Sequence, residues 1–517
     1  MPDSESKTFE VTLNSKENYM IAPNSSNTAQ FYTPMSASTM NRMLSDMGLD
    51  IVKSVKRKQG SLKTLGVNTE VATDIVVAKI DPERAELLKE TLPQNLSITK
   101  DEVLTYGSVA VEHGFKGLSF TASSKIITTT VQFKIIGIDD QPISKVMVQL
   151  VGDAYPSQNI TDENGMVSLE FVSLEKNPSA RLLVVTPTND YWDIYNKNPE
   201  ISFSSINTIK LKPLFEKNED FKVGWGQQLI GLSNIPKDMT GAGIKVAIID
   251  SGCDNQHKLL KHINLGMDFT SDDASKWNQD EIGHGTHCAG VIAARNVEGS
   301  NGFAPEAEVH ILKIFPGGSY SSLIEALDYC VEHKIDVVNM SLGADTVNAT
   351  VEEALNIAAQ NGIACIVAAG NSGNSVRYPA SSPYAFAVAA IGNIANIQKN
   401  TWDSTIGDVN LQTSTGMFWP KFSCYGPEIS VCAPGVAIIS TVPGGGYKAE
   451  SGTSMAAPHI TGIATLLLAH HPLFKMQFQE RNIQRVTALF ELIRSLCVPS
   501  PFDATRTGAG IPVFKNT

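Results

Sequence analysis

The chain has 517 residues, of which 42% are hydrophobic and 18% charged, as in folded globular proteins and unlike intrinsically disordered ones. A single core rarely organises so long a chain, so we expect about two to four domains. The formal net charge of −12 argues against nucleic acid and against an anionic membrane as the main partner. The longest apolar runs are far shorter than the roughly 20 residues of a membrane helix.

Cysteine usage and the amino terminus both bear on the compartment. All seven cysteines lie at or after residue 253 and none is part of a Cys-x-x-Cys pair, so no structural zinc site is expected. The amino terminus has no basic start and no apolar stretch of signal-peptide length. An odd cysteine count without such a signal predicts reduced thiols and a cytoplasmic protein, with export by another route left open.

The first part of the chain predicts a polar tail followed by a small α+β domain. Residues 1–29 are rich in Ser and Asn and predict a loose tail. Over residues 30–107, "STMNRMLSDMGLDIVKSV" predicts a helix that runs into a strand, and "TDIVVAKI" predicts a second strand. Pro82 then starts a second helix and "LSITKDEVLTYG" predicts a closing strand, an order typical of a split βαβ unit.

After a linker over residues 108–126, the pattern changes to short alternating runs over residues 127–213. Runs such as "KVMVQLVG" and "MVSLEFVSL" are separated by turn signals, which predicts an all-β sandwich module. Asp162 and Asn164 in "TDENG" are interpreted as turn formers rather than calcium ligands.

Residues 214–517 alternate between short apolar runs and helical patterns. The runs "KVAIID", "EVHILKI" and "IACIVAAG" predict strands that are buried on both faces. Segments such as "SSLIEALDYCVEH" predict helices between these strands. The alternation predicts an α/β domain with a mostly parallel sheet flanked by helices, and a ligand site at the carboxyl ends of the strands.

Four polar residues stand at the ends of predicted elements in this third domain. Asp250 ends the strand "KVAIID", and a carboxylate buried there costs solvation energy unless it accepts hydrogen bonds. His284 in "GHGTHCAG" lies between glycines that allow close approach, and it is a suitable partner for Asp250. Asn371 in "AAGNSG" ends another strand, and Ser454 in "GTSMAAPH" precedes a long apolar helix whose first N–H groups favour negative charge.

The blocks "DSG", "HGTHCAG", "AAGNSG" and "GTSMAAPH", in this order, resemble those of the subtilisin-like serine proteases, or subtilases. The resemblance implies a subtilisin-like fold in which Ser454 is the nucleophile and His284 its general base. It implies that Asp250 holds the tautomer of His284 and stabilises its protonated form. It also implies that Asn371 and the backbone N–H of Ser454 bind the oxyanion.

Two neighbours of His284 are interpreted as packing residues. A metal site at His284 and His287 would need a third donor and leave Ser454 without a role, so His287 is expected to pack within the helix. Cys288 is expected to be a free thiol under the catalytic histidine, open to a thiol reagent.

Two further segments resemble the strands that pair with an extended protein or peptide substrate. Ser341, Leu342 and Gly343 form one, and Gly318 and Tyr320 lie in the other. Tyr320 is expected to close a pocket several residues before the bond that is cut. Ordinary strand ends and turns would produce the same local patterns.

The chain departs from the family pattern at two places. Leu259 stands where a carboxylate commonly binds calcium, so the usual strong site is expected to be absent. No metal or other cofactor is required for the chemistry, and calcium remains an optional ligand elsewhere. Residues 393–420 are longer than the connection usual in the family, and we expect them to wall the primary specificity pocket.

The unit at residues 30–107 resembles the inhibitory pro-segments of subtilases. The resemblance implies a zymogen that cuts itself, and a tail lying in the cleft would present a bond between Thr105 and Val109 to Ser454. Cutting the polar stretch 214–222 instead would release the pro-segment and the β module together.

The expected function is therefore that of a serine endopeptidase that cuts extended protein segments through an acyl-enzyme. Two alternatives remain open: a dedicated processing protease for one partner protein, and a catalytically silent binding protein with a protease-like fold.

Overall fold

The computed structural model describes residues 16–23, 37–57, 74–93, 96–107, 127–152, 155–173, 179–215, 223–295 and 302–514. These residues form three units in chain order: a small amino-terminal α+β unit, a β module of two sheets, and a larger α/β unit. No described helix is both long enough and apolar enough to span a bilayer.

The amino-terminal unit is a four-stranded sheet with the order β2-β3-β1-β4, in which all neighbours are antiparallel. Its elements are β1 (Glu17–Pro23), α1 (Ala37–Asp46), β2 (Asp50–Val55), β3 (Ile75–Ile80), α2 (Pro82–Thr91) and β4 (Leu96–Lys100). The predicted helix that runs into a strand, the helix starting at Pro82 and the strands around it are therefore confirmed.

The prediction of a loose tail over residues 1–29 is wrong for Glu17–Pro23. These residues form β1, which pairs with β3 on one side and with β4 on the other. The signal in the sequence is the apolar run "YMIA", whose four side chains are buried because a central strand has both faces covered. Residues 1–15 and 24–29 of the predicted tail lie outside the described residues.

The two faces of this sheet have different partners, as the two-residue period of a strand requires. Tyr19 and Ile21 pack with the helices α1 and α2. Met20 and Ala22 face the other way and join an apolar cluster of the third unit. The chain then runs through β5 (Thr105–Tyr106) to Gly107. The predicted linker 108–126 lies outside the described residues.

The β module consists of two facing sheets around one apolar core. One sheet has the order β11-β10-β7-β8 and the other β12-β6-β9. The strands are β6 (Ile127–Ile136), β7 (Met147–Val151), β8 (Ser157–Ile160), β9 (Met166–Ser173), β10 (Leu182–Thr186), β11 (Ile194–Lys197) and β12 (Asn207–Lys210). Asp162 acts as a turn former, since its carboxylate accepts hydrogen bonds from the N–H groups of Asn164 and Met166.

The third unit contains a nine-stranded sheet in the order β14-β15-β13-β16-β18-β19-β21-β20, with β22 also paired to β19. Seven of these strands are parallel neighbours, and β20 and β21 form an antiparallel hairpin. The strands of that sheet are β13 (Lys245–Asp250), β14 (Leu265–Asp268), β15 (Glu308–Lys313), β16 (Val337–Met340), β18 (Ala364–Ala368), β19 (Ala385–Asn393), β20 (Gly407–Gln412), β21 (Met417–Pro420) and β22 (Ile429–Pro434). The third unit also contains β17 (Leu342–Gly343), β23 (Ile438–Thr441), β24 (Tyr447–Glu450), β25 (Cys497–Val498) and β26 (Ile511–Pro512), which form two-stranded pairings outside that sheet.

Helices cover both faces of this sheet. They are α3 (Trp225–Ile230), α4 (His284–Ala293), α5 (Tyr320–Glu332), α6 (Ala349–Gln360), α7 (Thr453–His470), α8 (Pro472–Met476), α9 (Ile483–Ser495) and α10 (Ala504–Thr507). Alternate residues of β13 enter two different cores: Val246 and Ile248 pack with α4 and α7, whereas Ala247 and Ile249 pack with α5 and α6. The predicted parallel sheet flanked by helices is confirmed.

The β module is attached to the third unit at two places. Within residues 393–405, the Asn400 carbonyl accepts from the backbone N–H of Tyr195, and the Trp402 N–H donates to the Asp193 carboxylate. At the hairpin of β23 and β24, Asp190 donates its N–H to the Tyr447 carbonyl, and its carboxylate accepts from the Tyr447 N–H. The module is therefore held by backbone-directed bonds to two loops of the third unit.

Two carboxyl groups lie at the first of these contacts, the buried Asp403 and the half-buried Asp193. Burial, and next the nearby charge of Asp193, raise the pKa of Asp403 from its ordinary value near 3.8 to about 7. Burial likewise raises the pKa of Asp193. Asp403 still accepts a hydrogen bond from the hydroxyl of Ser451. Because the folded state holds these protons to higher pH than the unfolded state does, their ionisation destabilises the fold as pH rises.

We expect Asp403→Asn to raise the melting temperature at pH 8, because an amide keeps an acceptor for Ser451 and cannot ionise. The wild-type chain should lose stability, on the order of a few kcal/mol, as pH rises from about 4 through about 7, and the variant should lose less. Thermal unfolding between pH 4 and pH 8 measures this, with the exposed Asp272→Asn as control. Equal pH dependence of variant and wild type would contradict the expectation.

Candidate active site

The polar residues singled out in the sequence converge at the carboxyl edge of the large sheet. Asp250 is the last residue of β13, His284 the first of α4 and Ser454 the second of α7. All three side chains are buried. Parallel strands end at the same edge, which is why residues 204 positions apart in the chain, Asp250 and Ser454, belong to one site.

The Asp250 carboxylate and the His284 imidazole form a buried hydrogen-bonded pair. Nδ1 of His284 lies 2.8 Å from Oδ1 and 2.9 Å from Oδ2 of Asp250. The Ser251 N–H also donates to Oδ1, at 2.7 Å. A Cβ at Gly285 would lie 2.1 Å from the Gly252 carbonyl oxygen, so any side chain there would push α4 away from β13. The glycines around the histidine thus permit the approach that the pair needs.

This pairing changes the basicity of His284. Burial by itself lowers the pKa of the imidazole, but the adjacent Asp250 carboxylate outweighs it, so the pKa lies above its ordinary value. The other ring nitrogen, Nε2, is buried and makes no hydrogen bond with any described residue. His284 therefore has one nitrogen held by a carboxylate and one free to exchange a proton.

Ser454 and Asn371 meet at the carbonyl oxygen of Gly107, from the amino-terminal unit. The Ser454 Oγ lies 3.1 Å from this oxygen, and the Asn371 Nδ2 donates to it at 2.8 Å. The N–H and hydroxyl of Thr453 both donate to Asn371 Oδ1, at 2.9 Å each, which turns the NH₂ end of the amide toward Gly107. A hydrogen bond from the Ser454 N–H to Gly107, which the sequence predicts, is not found among the described residues.

The segment before Gly107 lies extended between the two predicted substrate-binding segments. On one side, Thr105 and Tyr106 pair antiparallel with Gly343 and Leu342 of β17. On the other side, the Leu104 N–H donates to the Gly318 carbonyl at 2.8 Å. The backbone of residues 102–107 is therefore bound from both edges, as an added strand would be.

Tyr320 does not lie in a strand, contrary to the prediction. It begins α5, and its N–H donates to the Glu102 carbonyl at 3.1 Å, while only Ser319 before it makes a bridge, to Val103. The Tyr320 side chain is fully buried, and its hydroxyl donates a hydrogen bond to the Thr346 carbonyl. Leu104 is buried in the same apolar cluster as Tyr320. This agrees with a pocket for the side chain three residues before Gly107.

Two residues that the sequence analysis missed also lie at this cleft. The Phe315 ring centre lies 4.7 Å from that of Tyr106, and the Tyr106 ring centre lies 5.8 Å from that of His284. Arg377 lines a cavity of about 350 Å³ at Gly107, together with Ser341 and β17. Phe315 follows the end of β15, so its place at a strand end is the only sequence signal that pointed to it.

Residues 393–420 are not among the described residues that line this cavity, so the prediction that they wall the specificity pocket is wrong. They form two short 3₁₀ turns and the β20–β21 hairpin, and their first part binds the β module. The length of the segment reflects its role in holding the module.

His287 and Cys288 pack inside the molecule, as expected. His287 Nε2 donates to the Ile438 carbonyl at 2.9 Å and lies 3.2 Å from the Lys448 carbonyl, which ties α4 to the β23–β24 hairpin. Burial lowers its pKa, so the ring is neutral. The Cys288 Sγ lies 3.5 Å from the Ser454 carbonyl, and burial raises the pKa of its thiol well above the usual range. Burial and a raised pKa both disfavour the thiolate, which argues against the expectation that a thiol reagent acts on Cys288.

Two places bear on metal binding. Asp250, His284 and Cys288 place potential metal-binding atoms within 4.8 Å of one another. A metal there would have to displace the Asp250–His284 hydrogen bond and the proton of a thiol whose pKa is high, so these residues fit proton transfer better. Leu259 is buried with Tyr447 in a small apolar cluster, which does not fit calcium at the place where the family has a carboxylate.

Comparison with known proteins gives the chain a family. The model of the subtilase family matches residues 241–489, which include Asp250, His284, Asn371 and Ser454 and begin after the β module. Among solved structures, a cold-adapted subtilisin-like serine proteinase is 28% identical, with a TM-score of 0.43 over 55% of this chain and 96% of that one.

Three relatives show the extent of the similarity. Subtilisin NAT of Bacillus subtilis subsp. natto is 38% identical over 242 residues, 45% of this chain and 57% of that protein, so this chain spans less than two thirds of its length. Subtilisin of Bacillus pumilus is also 38% identical, over 45% of this chain and 79% of its own length. The major intracellular serine protease of Bacillus subtilis (strain 168) is 34% identical, over 53% of this chain and 81% of its own.

Similarity at this level over most of two relatives, with the four site residues inside the matched region, leads to one conclusion. The chain belongs to the subtilase family.

Proposed function

We propose that the protein is a serine endopeptidase made as a self-processing zymogen, in which the amino-terminal unit up to Gly107 acts as an intramolecular inhibitor. The observation that carries the proposal is the position of the Gly107 carbonyl group, held by Asn371 at 2.8 Å and in contact with the Ser454 hydroxyl at 3.1 Å. A carbonyl between a nucleophile and an amide donor is a substrate's position at such a site.

In the proposed reaction, the Ser454 oxygen attacks the Gly107 carbonyl carbon while His284 takes the hydroxyl proton. The C–N bond to Ser108 then breaks, and His284 returns that proton to the leaving amine of Ser108. Water then attacks the resulting ester of Ser454 while His284 takes a proton from it. The bond between the carbonyl carbon and the Ser454 oxygen breaks, and His284 returns the proton to that oxygen. Asp250 keeps Nδ1 of His284 as the donor and stabilises the imidazolium, in line with the raised pKa of His284.

Asn371 is proposed to stabilise the negative charge that develops on the carbonyl oxygen. Its orientation supports this role, because Thr453 already binds the oxygen end of the amide. An asparagine in this role in a subtilisin contributes about 2.7–4 kcal/mol to the barrier. The amino-terminal end of α7, where Ser454 lies, adds a favourable electrostatic field for the same charge.

The contacts of the amino-terminal unit with α5 support its role as an inhibitor. Arg57 binds the Asp328 carboxylate through two nitrogens at 3.0 and 3.1 Å, and Lys53 binds Glu325 at 2.6 Å. The Arg57 side chain is only 2% exposed, so this pair is screened little by solvent.

The same unit also caps α5. The Asp101 carboxylate accepts from the Ser321 N–H at 2.9 Å and from the Ser321 hydroxyl at 2.8 Å, at the first turn of the helix. The unit thereby supplies an acceptor for a helix terminus that borders the cleft, which favours the bound arrangement.

The proposed substrates are extended segments of proteins or peptides. Backbone pairing on both edges of residues 102–107 requires an extended chain and tolerates many side chains. A dedicated processing role for one partner remains a second candidate. A catalytically silent binding protein is disfavoured by the buried Asp250–His284 pair and by the contacts of Ser454 and Asn371 with the Gly107 carbonyl, which support a catalytic role.

We also propose that the enzyme works inside the cell. All seven cysteines are unpaired, which suits a reducing compartment, and one relative is named a major intracellular serine protease. The β module is proposed to stay with the mature enzyme, because the cut at Gly107 precedes it and its bonds to residues 393–405 and to the β23–β24 hairpin remain.

The first test is the site of self-processing. The purified wild-type chain should carry a new amino terminus at Ser108, and Ser454→Ala should stay uncut, as read by intact mass and amino-terminal sequencing. Ser495→Ala, which changes an exposed serine at the end of α9, should process normally. A new terminus within residues 214–222, of which 216–222 lie outside the described residues, or an uncut wild type, would overturn the proposed cut.

The second test is the pH dependence of peptide hydrolysis. His284 accepts a proton only when neutral, and its pKa is raised, so kcat/KM should fall on the acid side with an apparent pKa above about 6.5. Asp250→Asn should move this limb to lower pH and reduce kcat by about 10⁴-fold. A serine-directed phosphonylating reagent that labels Ser454 normalises the enzyme concentration. The exposed Asp272→Asn is the control, and an unmoved acid limb in Asp250→Asn would count against this pair.

The third test concerns calcium. Because Leu259 and its apolar neighbours replace the usual carboxylate, a chelator should change the melting temperature little. Thermal unfolding with chelator, and again after excess calcium is restored, measures this. A large drop that calcium reverses would reveal a site elsewhere in the chain.

A further inference from the structure

The cavity of about 350 Å³ at the scissile carbonyl is left open by the protein's own chain. Gly107 has no side chain, so the space next to its Cα is not filled from the amino-terminal unit. The cavity lies against Ser341 and β17 on one side and Gly370 and Ser372 on another. A substrate whose residue before the cut carries a side chain would place it there.

The stem of Arg377 forms part of this cavity and runs between two glycines. A Cβ at Gly370 would lie 2.8 and 2.9 Å from Cγ and Cδ of Arg377, and one at Gly343 would lie 3.4 Å from its Cβ. The absence of a side chain at Gly370 gives the arginine its room, whereas a Cβ at Gly343 would only make ordinary van der Waals contact. Its Nε donates to the Ala344 carbonyl at 3.4 Å, which directs the guanidinium along the same wall.

Arg377 is the only charged side chain among the described residues that line the cavity. The others offer hydroxyls, an amide, backbone and small apolar groups. The guanidinium is paired with Asp345 at 2.8 Å, but the Asp345 side chain is 85% exposed whereas that of Arg377 is 19% exposed. Solvent screens such a pair, and a guanidinium has five N–H donors, so it can also bind a second carboxylate.

We propose that Arg377 makes this cavity a pocket for an acidic side chain, so that the enzyme cuts best after Glu or Asp. The inference rests on the proposed function and names its substrate class. A carboxylate in the pocket would gain charge-assisted hydrogen bonds from the guanidinium, which can bind both carboxylate oxygens at once. Gly107 makes none of these contacts, so the inhibitory unit occupies the cleft without using its most selective pocket. Acidic substrates would therefore compete well against it.

The experiment is a peptide series that keeps the native residues before the cut. Processed enzyme is given acetyl-Leu-Thr-Tyr-X with a chromogenic amine leaving group, where X is Gly, Glu, Gln or Lys and the first three match Leu104, Thr105 and Tyr106. We expect kcat/KM for Glu to exceed that for its isostere Gln by roughly tenfold to a hundredfold, and Lys to be the poorest. Equal values for Glu and Gln would overturn the inference.

Variants assign the preference to the arginine. Arg377→Gln should bring the Glu to Gln ratio close to one, and Arg377→Glu should favour Lys over Glu. Asp345→Asn is the matched control: it removes the exposed partner and should keep or raise the preference for Glu. A Glu preference that survives in Arg377→Gln would also overturn the inference, because the selectivity would then come from another group.

The Gly peptide separates this inference from the proposed function. If no peptide of the series is cut, the proposed function fails; if Gly is cut and Glu is no better than Gln, only the pocket assignment fails. Melting temperatures show whether each variant is folded. If the Arg377 variants do not fold, the wild-type series still decides, because the ratio of Glu to Gln is measured without them.

Discussion

The buried hydrogen bond between Asp250 and His284 is the interaction on which the rest of the site depends. A carboxylate at the end of a central strand is stable only if its lost hydration is replaced, and the imidazole and the Ser251 N–H replace it. That pairing requires α4 to lie against β13. Position 285 permits this only as glycine, because a Cβ there would clash with the Gly252 carbonyl oxygen. With the imidazole fixed, its Nε2 is the group left to serve a nucleophile. The parallel sheet contributes by bringing the ends of distant strands to one edge.

A continuous set of contacts joins this pair to the β module. Beside His284, His287 ties α4 to the hairpin of β23 and β24. The same hairpin exchanges two hydrogen bonds with Asp190 of the module through Tyr447. The module therefore contacts the hairpin that supports α4, and none of its described residues lines the cavity at Gly107. Its place in the chain, between the amino-terminal unit and the third unit, lets it remain bound there after the proposed cut.

The sequence predicted what depends on short motifs and missed what depends on tertiary contact. Asp250, His284, Asn371 and Ser454 were identifiable because backbone geometry at strand and helix ends restricts the residues around them. The parallel sheet followed from its continuous apolar runs. Arg377 could not be placed, because its importance comes from the cavity that it lines with residues of several distant segments. Likewise, the length of residues 393–420 indicated an added role but not the surface on which they fold, and β1 was hidden by its polar surroundings.

The peptide bond after Gly107 determines whether the fraction of clefts occupied by the amino-terminal unit depends on protein concentration. While the link is intact, the amino-terminal unit and the cleft belong to one molecule. The concentration of that unit near the cleft is then independent of the protein concentration. Once the link is cut, the two pieces obey ordinary mass action, and the occupied fraction falls as the solution is diluted. After the proposed cut, the occupied fraction of the cleft thus depends on protein concentration, and dilution by itself frees the cleft of the amino-terminal unit.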